Sequence, residues 1–108
     1  MKLIVAYIRP EVLQDVKTKL YAKEIFSMSV TNILGSGRQK GYTEVYRGIQ
    51  TEVNLLKKIR LEIGIADDKV DEAISAIVEG AKTGQTGDGV IFVSDVVKSL
   101  RIRTGEEV

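Results

Sequence analysis

The sequence predicts an α+β fold in the order strand, helix, strand, strand, helix, strand, with a four-stranded antiparallel sheet and both helices on one face. Three observations predict it. Two segments place apolar residues at helical spacing, and each lies between strand-like stretches. Ile59, Leu61, Ile63 and Ile65 alternate with Lys58, Arg60, Glu62 and Gly64, so one strand has a core face and a charged face. The 108 residues fit one domain with a single core. The order is that of a ferredoxin-like βαββαβ sandwich, whose other sheet face is left for solvent or a wet subunit interface; we favour oligomerisation.

Taken in order, Lys2 to Ile8 is an apolar run with Val, Tyr and Ile, the pattern of a buried strand. Pro10 suits a first helical turn, where its missing donor would be unpaired anyway. From Glu11 to about Ala22 the residues Val12, Leu13, Val16 and Leu20 form one helical stripe. Ile25 to Leu34 reads as the second strand, with Met28, Val30 and Leu34 on one face, and Leu55 to Ile65 as the third. Asp67 or Asp68 is a natural N-cap for a helix whose stripe is Val70, Ile74, Ile77, Val78 and Ala81. Thr83-Gly84 marks its end, Val90 to Val97 is the fourth strand, and the tail to Arg103 is read as extended.

Composition excludes much chemistry. Hydrophobic content is 44% and charged content 29%, ordinary for a globular protein. A net charge of +1, from 16 basic and 15 acidic residues, gives no case for nucleic acid. Without cysteine there is no disulfide or thiolate chemistry, and without histidine the commonest general base and zinc ligand are missing. Leu3 to Ile8 is too short to span a bilayer and runs into Arg9-Pro10, so the expected compartment is the cytoplasm.

Three segments stand out beyond scaffolding. The connection from Gly35 to Val53 has glycine at 35, 37, 41 and 48, the basic run Arg38-Gln39-Lys40, and Tyr42 and Tyr46. It reads as an irregular loop, and such long connections are functional or disordered. The stretch Thr83-Gly84-Gln85-Thr86-Gly87-Asp88-Gly89 has the glycines of an anion-binding nest, although a helix C-cap followed by an Asp-Gly turn would look the same. It is not a P-loop, since the glycines follow a helix instead of opening one. Arg101 and Arg103, if extended, put two guanidinium forks on one face; the alternative is a charged edge strand that discourages pairing. Together they favour an anionic ligand and contain nothing resembling a catalytic nucleophile or base.

Gly37-Arg38-Gln39-Lys40-Gly41, Thr43-Glu44, Tyr46-Arg47-Gly48, Thr83-Gly84, Gly87-Asp88-Gly89, Ile91-Phe92-Val93 and Arg101-Ile102-Arg103-Thr104-Gly105-Glu106-Glu107 resemble the PII nitrogen-regulatory signal proteins of the GlnB/GlnK type along the whole chain. The resemblance implies one domain over residues 1–108, with a T-loop at about 37–54, a B-loop at about 82–90 and a C-loop at about 101–108. It implies a non-enzymatic homotrimer that binds ATP or ADP in the clefts between subunits. Gly87, Asp88, Gly89 and the position of Val90 would meet the phosphates, with Gly37 and Arg38 nearby and Arg101 and Arg103 from across the cleft. Ser29, Glu62 and Gly64 would surround the adenine. Gln39 would help hold Mg2+ on ATP, and 2-oxoglutarate would chelate that ion and meet Gln39, Lys40, Gly41 and Lys58. Partner binding would fall to the T-loop residues Tyr42, Glu44, Tyr46, Arg47 and Gly48. An ammonium transporter of the Amt type is the expected target, with Arg47 plugging its pore and the protein recruited to the inner face of the membrane; other nitrogen-metabolism enzymes or regulators are possible.

The chain departs from that pattern at three places. Thr51 replaces a tyrosine that relatives nucleotidylate, so no modification is expected there, and Ile49 replaces a serine that some relatives phosphorylate. Val90 replaces the basic residue that follows Gly-Asp-Gly. A charge-assisted hydrogen bond contributes about 1.5–3 kcal/mol, so this loss corresponds to roughly ten- to a hundredfold in phosphate affinity. The alternative implied by Val90 is a PII-like paralogue with altered nucleotide or other small-ligand sensing.

Overall fold

A computed structural model of the chain describes residues 1–35, 42–46, 49–53 and 55–108, the two middle segments through their backbone pairing. The strands are β1 (Lys2–Ile8), β2 (Ser29–Gly35), β3 (Tyr42–Tyr46), β4 (Ile49–Val53), β5 (Leu56–Ile65) and β6 (Val90–Asp95). The helices are α1 (Leu13–Ala22) and α2 (Val70–Ala81), each entered through a short 3-10 turn, Pro10–Val12 and Asp67–Lys69. Among the described residues, β2-β5-β1-β6 form one antiparallel sheet and β3-β4 a separate two-stranded ribbon. The β1-α1-β2 connection passes over β5, and β5-α2-β6 passes over β1, which is the predicted ferredoxin-like topology.

Both central strands alternate. Ile4, Ala6 and Ile8 of β1 and Ile59, Leu61, Ile63 and Ile65 of β5 are buried under the helices. Val16 and Leu20 of α1 and Ala73, Ala76, Ile77 and Ala81 of α2 close the core from above, with Val12 and Ile25 completing it. The second helix presents a different stripe from the one predicted. Ala73 and Ala76 are buried, whereas Ile74 is half-buried and Val78 is exposed. Small residues let the two helices approach closely: a Cβ on Gly80 would lie 2.7 Å from the Val16 backbone. The larger side chains are displaced to the flanks.

Several local expectations are corrected. The second strand begins at Ser29 instead of Ile25, and on this edge strand Val30 and Leu34 face the helix side but stay exposed beyond the helices' reach. No side chain caps either helical entry. Asp67 instead takes the N-terminal ammonium at 2.7 Å, which holds its carboxyl below the usual range. The long connection is not wholly irregular, since Tyr42 to Tyr46 pairs with Ile49 to Val53. The last strand ends at Asp95, and the chain beyond it is not extended through Arg103. There the Arg101 N–H donates to Glu106 O and the Gly105 N–H to Arg101 O, closing a turn with Gly105 at φ +73°.

Helix α1 ends in a Schellman arrangement. The Ile25 N–H reaches Leu20 O and the Glu24 N–H reaches Tyr21 O. Glu24 occupies the left-handed position, φ +58°, that glycine usually fills.

Candidate functional site

The glycine turn between α2 and β6 is closed from inside by Asp88. Its carboxylate accepts from the backbone N–H of Thr83 at 2.8 Å and of Gly84 at 2.9 Å, and from the Thr83 hydroxyl. These bonds, with the Arg9 guanidinium, hold the Asp88 carboxyl down to about 2. Gly89 has φ +111°, and a Cβ there would lie 1.7 Å from Tyr7 O, so the turn can approach β1 this closely only with glycine.

Two cations reach the turn from the sheet. Arg9 Nη2 donates to Thr86 O at 2.7 Å, and its Nε lies 3.4 Å from Asp88 Oδ1. Lys58 Nζ donates to Gly87 O at 2.8 Å. Burial, followed by the charge of Arg9, lowers the Lys58 ammonium's pKa. Among the described residues, the N–H groups of Gly87 and Asp88 meet no protein acceptor. These donors, with two adjacent cations, fit the phosphate oxygens that the sequence pattern implies.

The remaining site residues are dispersed within one chain. Ser29 pairs with Glu62 across β2 and β5, and Gly64 follows on the same open face. They lie toward the β5 C-terminus, while Lys58 and the glycine turn lie near its start; Lys58 and Glu62 are four positions apart on the strand, roughly 13 Å. Val90 opens β6 opposite Tyr7 and lines an apolar cavity of about 280 Å³ with Tyr7, Ile77 and Val78. Arg101 and Arg103 are exposed beyond the far end of β6, in a segment that borders Met1. One chain therefore does not bring Arg101 and Arg103 to the glycine turn. Tyr42, Glu44 and Tyr46 lie on β3 and Thr51 on β4, with Glu44 paired to Thr51. Gly37, Arg38, Gln39, Lys40, Gly41, Arg47 and Gly48 lie outside the described residues.

The open sheet face joins these parts. Leu3, Val5 and Tyr7 are half-buried on it, and Val90 and Phe92 are exposed beside them. The Tyr7 and Phe92 rings meet edge to face at 6.1 Å, and the Arg60 guanidinium lies 5.9 Å from the Tyr7 ring centre. Arg60 Nε sits 2.8 Å from Glu62 Oε1 but out of hydrogen-bond alignment, so this buried N–H has no acceptor among the described residues. Sequence reasoning found the cations of this face and missed its apolar stripe, although Leu3, Val5 and Tyr7 were legible as every second residue of the first strand. It also missed Arg9, whose partners lie 77 and 79 residues away.

The structure thus defines a βαββαβ sandwich with a carboxylate-closed glycine turn and a half-covered sheet face. The family model for nitrogen regulatory protein P-II matches residues 1–106. The chain is similar to the nitrogen regulatory protein P-II of Pasteurella multocida, at 51% identity over 99% of this chain and 96% of that one. It is likewise similar to nitrogen regulatory protein P-II 1 of Escherichia coli K12, at 50% over the same shares, and to the nitrogen regulatory protein P-II of Rhizobium etli, at 48% over 98% and 95%. The chain belongs to the P-II family of nitrogen regulatory proteins. Among the described residues, no helix is long and apolar enough to cross a membrane.

Proposed function

We propose that this P-II protein is a homotrimeric, non-enzymatic signal transducer that binds ATP and ADP competitively in clefts between subunits and reports 2-oxoglutarate through its 37–54 segment. One observation carries the reading: the glycine turn is fixed in shape by Asp88, Arg9 and Lys58, with amide donors left over for an anion. The dispersal of the other residues supports a shared site. Arg101 and Arg103 lie too far along their own chain to meet its turn, so a second subunit would supply them. The half-covered apolar stripe on the open face suits burial against another copy.

In this reading Gly87, Asp88 and Gly89 hold the phosphates, and Ser29, Glu62 and Gly64 border the adenine. Gln39 would help hold Mg2+, which would present 2-oxoglutarate's keto acid group. Lys58 would then exchange the Gly87 carbonyl for a carboxylate. Such a ligand shifts the ribbon and its flanks only through different affinity for two arrangements. The output is control of an Amt-type ammonium transporter at the inner face of the membrane, with Arg47 as the contact residue, from an otherwise cytoplasmic protein.

Calorimetric titration tests this. ATP is expected to bind alone, and 2-oxoglutarate only when MgATP is present; binding of neither nucleotide at millimolar concentration would refute the sensing role. A second reading is favoured by Val90, which adds an apolar wall where a cation would serve phosphate. It is a P-II protein tuned to one adenine nucleotide or to another small ligand, and a strong preference for ADP over ATP in the same titration would select it.

A further inference from the structure

We propose that Arg9 is the positioning residue of the glycine turn, supplying from the end of β1 the positive charge that the turn itself lacks. The inference deepens the nucleotide reading above and rests on it. Residues 83–90 are Thr, Gly, Gln, Thr, Gly, Asp, Gly and Val, so their single formal charge is the negative Asp88. A polyphosphate brought to this turn meets a carboxylate unless that charge is balanced. Arg9 balances it: its side chain is only 16% exposed and its Nε lies 3.4 Å from Asp88 Oδ1.

The same guanidinium orients the backbone. Nη2 takes the Thr86 carbonyl at 2.7 Å. In a trans peptide C=O and N–H point in opposite directions, so holding the Thr86 carbonyl toward Arg9 turns the Gly87 N–H away from it. Lys58 does the equivalent for the next peptide by holding the Gly87 carbonyl, which aims the Asp88 N–H. The result is two consecutive amides without a protein acceptor among the described residues. Arg9 can do this because its own backbone is fixed. It precedes Pro10, adopts the extended φ −68°, ψ 143° that a following proline favours, and directly follows a strand paired on both sides. A planar fork reaches two acceptors at once, which an ammonium on a flexible stem does less well.

The test uses the full chain with Arg9→Gln and Arg9→Lys. ATP, ADP and adenosine are titrated calorimetrically without magnesium or 2-oxoglutarate, and amide spectra of each variant are recorded. Arg9→Gln is expected to weaken ATP by about tenfold or more, equivalent to at least about 1.4 kcal/mol. It should leave adenosine unchanged and move the Gly87 and Asp88 amide signals while those of Leu61 and Ile63 stay in place. Arg9→Lys should recover part of the ATP affinity, because it restores charge without the fork. ATP binding to Arg9→Gln within about twofold of the unaltered protein would overturn the proposal, as would an equal loss for adenosine. If Arg9→Gln fails to fold, Arg9→Lys decides: a loss confined to the phosphate-bearing ligands supports the proposal, and no loss overturns it. Absence of nucleotide binding in the unaltered protein would instead remove the premise and the proposal together, a failure recognisable because it needs no mutation.

Discussion

The two faces of the main sheet are built from the same strands by the same alternation, yet only one is finished. On the helix side, Ile4, Ala6, Ile8, Leu61 and Ile63 are at most 2% exposed. On the other side, Leu3, Val5 and Tyr7 are only half-covered by one another and by Arg60 and Glu62, and Phe92 remains 55% exposed. A face that needed only water would carry polar residues at the β1 positions as it does on β5. The difference teaches that the helix face makes the fold, while the open face and its border are left to carry the site proposed above.

Changes on the finished face should cost the most. Leu61→Ala removes a fully buried side chain and is expected to destabilise the chain by about 2–5 kcal/mol in denaturant unfolding. Val5→Asp on the open face should leave the circular dichroism of the chain intact but abolish its assembly in sedimentation. If the two variants unfolded alike and assembled alike, the distinction between the faces would fail. Gly80→Ala sharpens the helix side: its Cβ would sit 2.7 Å from Val16 backbone that cannot move independently, so a loss of about 1–3 kcal/mol is expected by the same unfolding assay.

A smaller effect, of opposite sign, is expected at Glu24. Its left-handed backbone costs an L-residue about 1–2 kcal/mol, partly offset by glycine's greater unfolded freedom. Glu24→Gly should therefore stabilise by about 1 kcal/mol and raise Tm by several degrees. At the border of the open face, Asp88 gives a pH signature. Its folded value, about 2, lies below its ordinary carboxylate value near 4, so its contribution is present above that range and lost as pH falls toward 2. The Thr83 and Gly84 amide signals should titrate near 2, and Asp88→Asn should remove that titration.

Much of the helix face was legible in the sequence, because period-2 alternation in Ile59 to Ile65 and the Val12, Val16, Leu20 stripe are local properties. The α2 stripe was read correctly at Val70, Ile77 and Ala81 but not at Ile74 and Val78, since large residues dominate a hydrophobic pattern while close packing is made by Ala73, Ala76 and Gly80. The ribbon was hidden by glycines and charges around strands that, among the described residues, pair only with each other. Arg101 to Arg103 read as a strand until Gly105 closed a turn behind it. The least legible features were the long-range ones. Asp67 prefers an ammonium 66 residues away to a cap beside it, and Arg9 serves a turn whose sequence gives no sign of needing it.

Native mass spectrometry with ATP, Mg2+ and 2-oxoglutarate tests the central claim most directly, because it reads assembly and ligand count together. The account predicts a species of three chains of 11.9 kDa, with up to one nucleotide per chain and 2-oxoglutarate only on nucleotide-loaded forms. A monomer, or a trimer that takes 2-oxoglutarate without nucleotide, would contradict it.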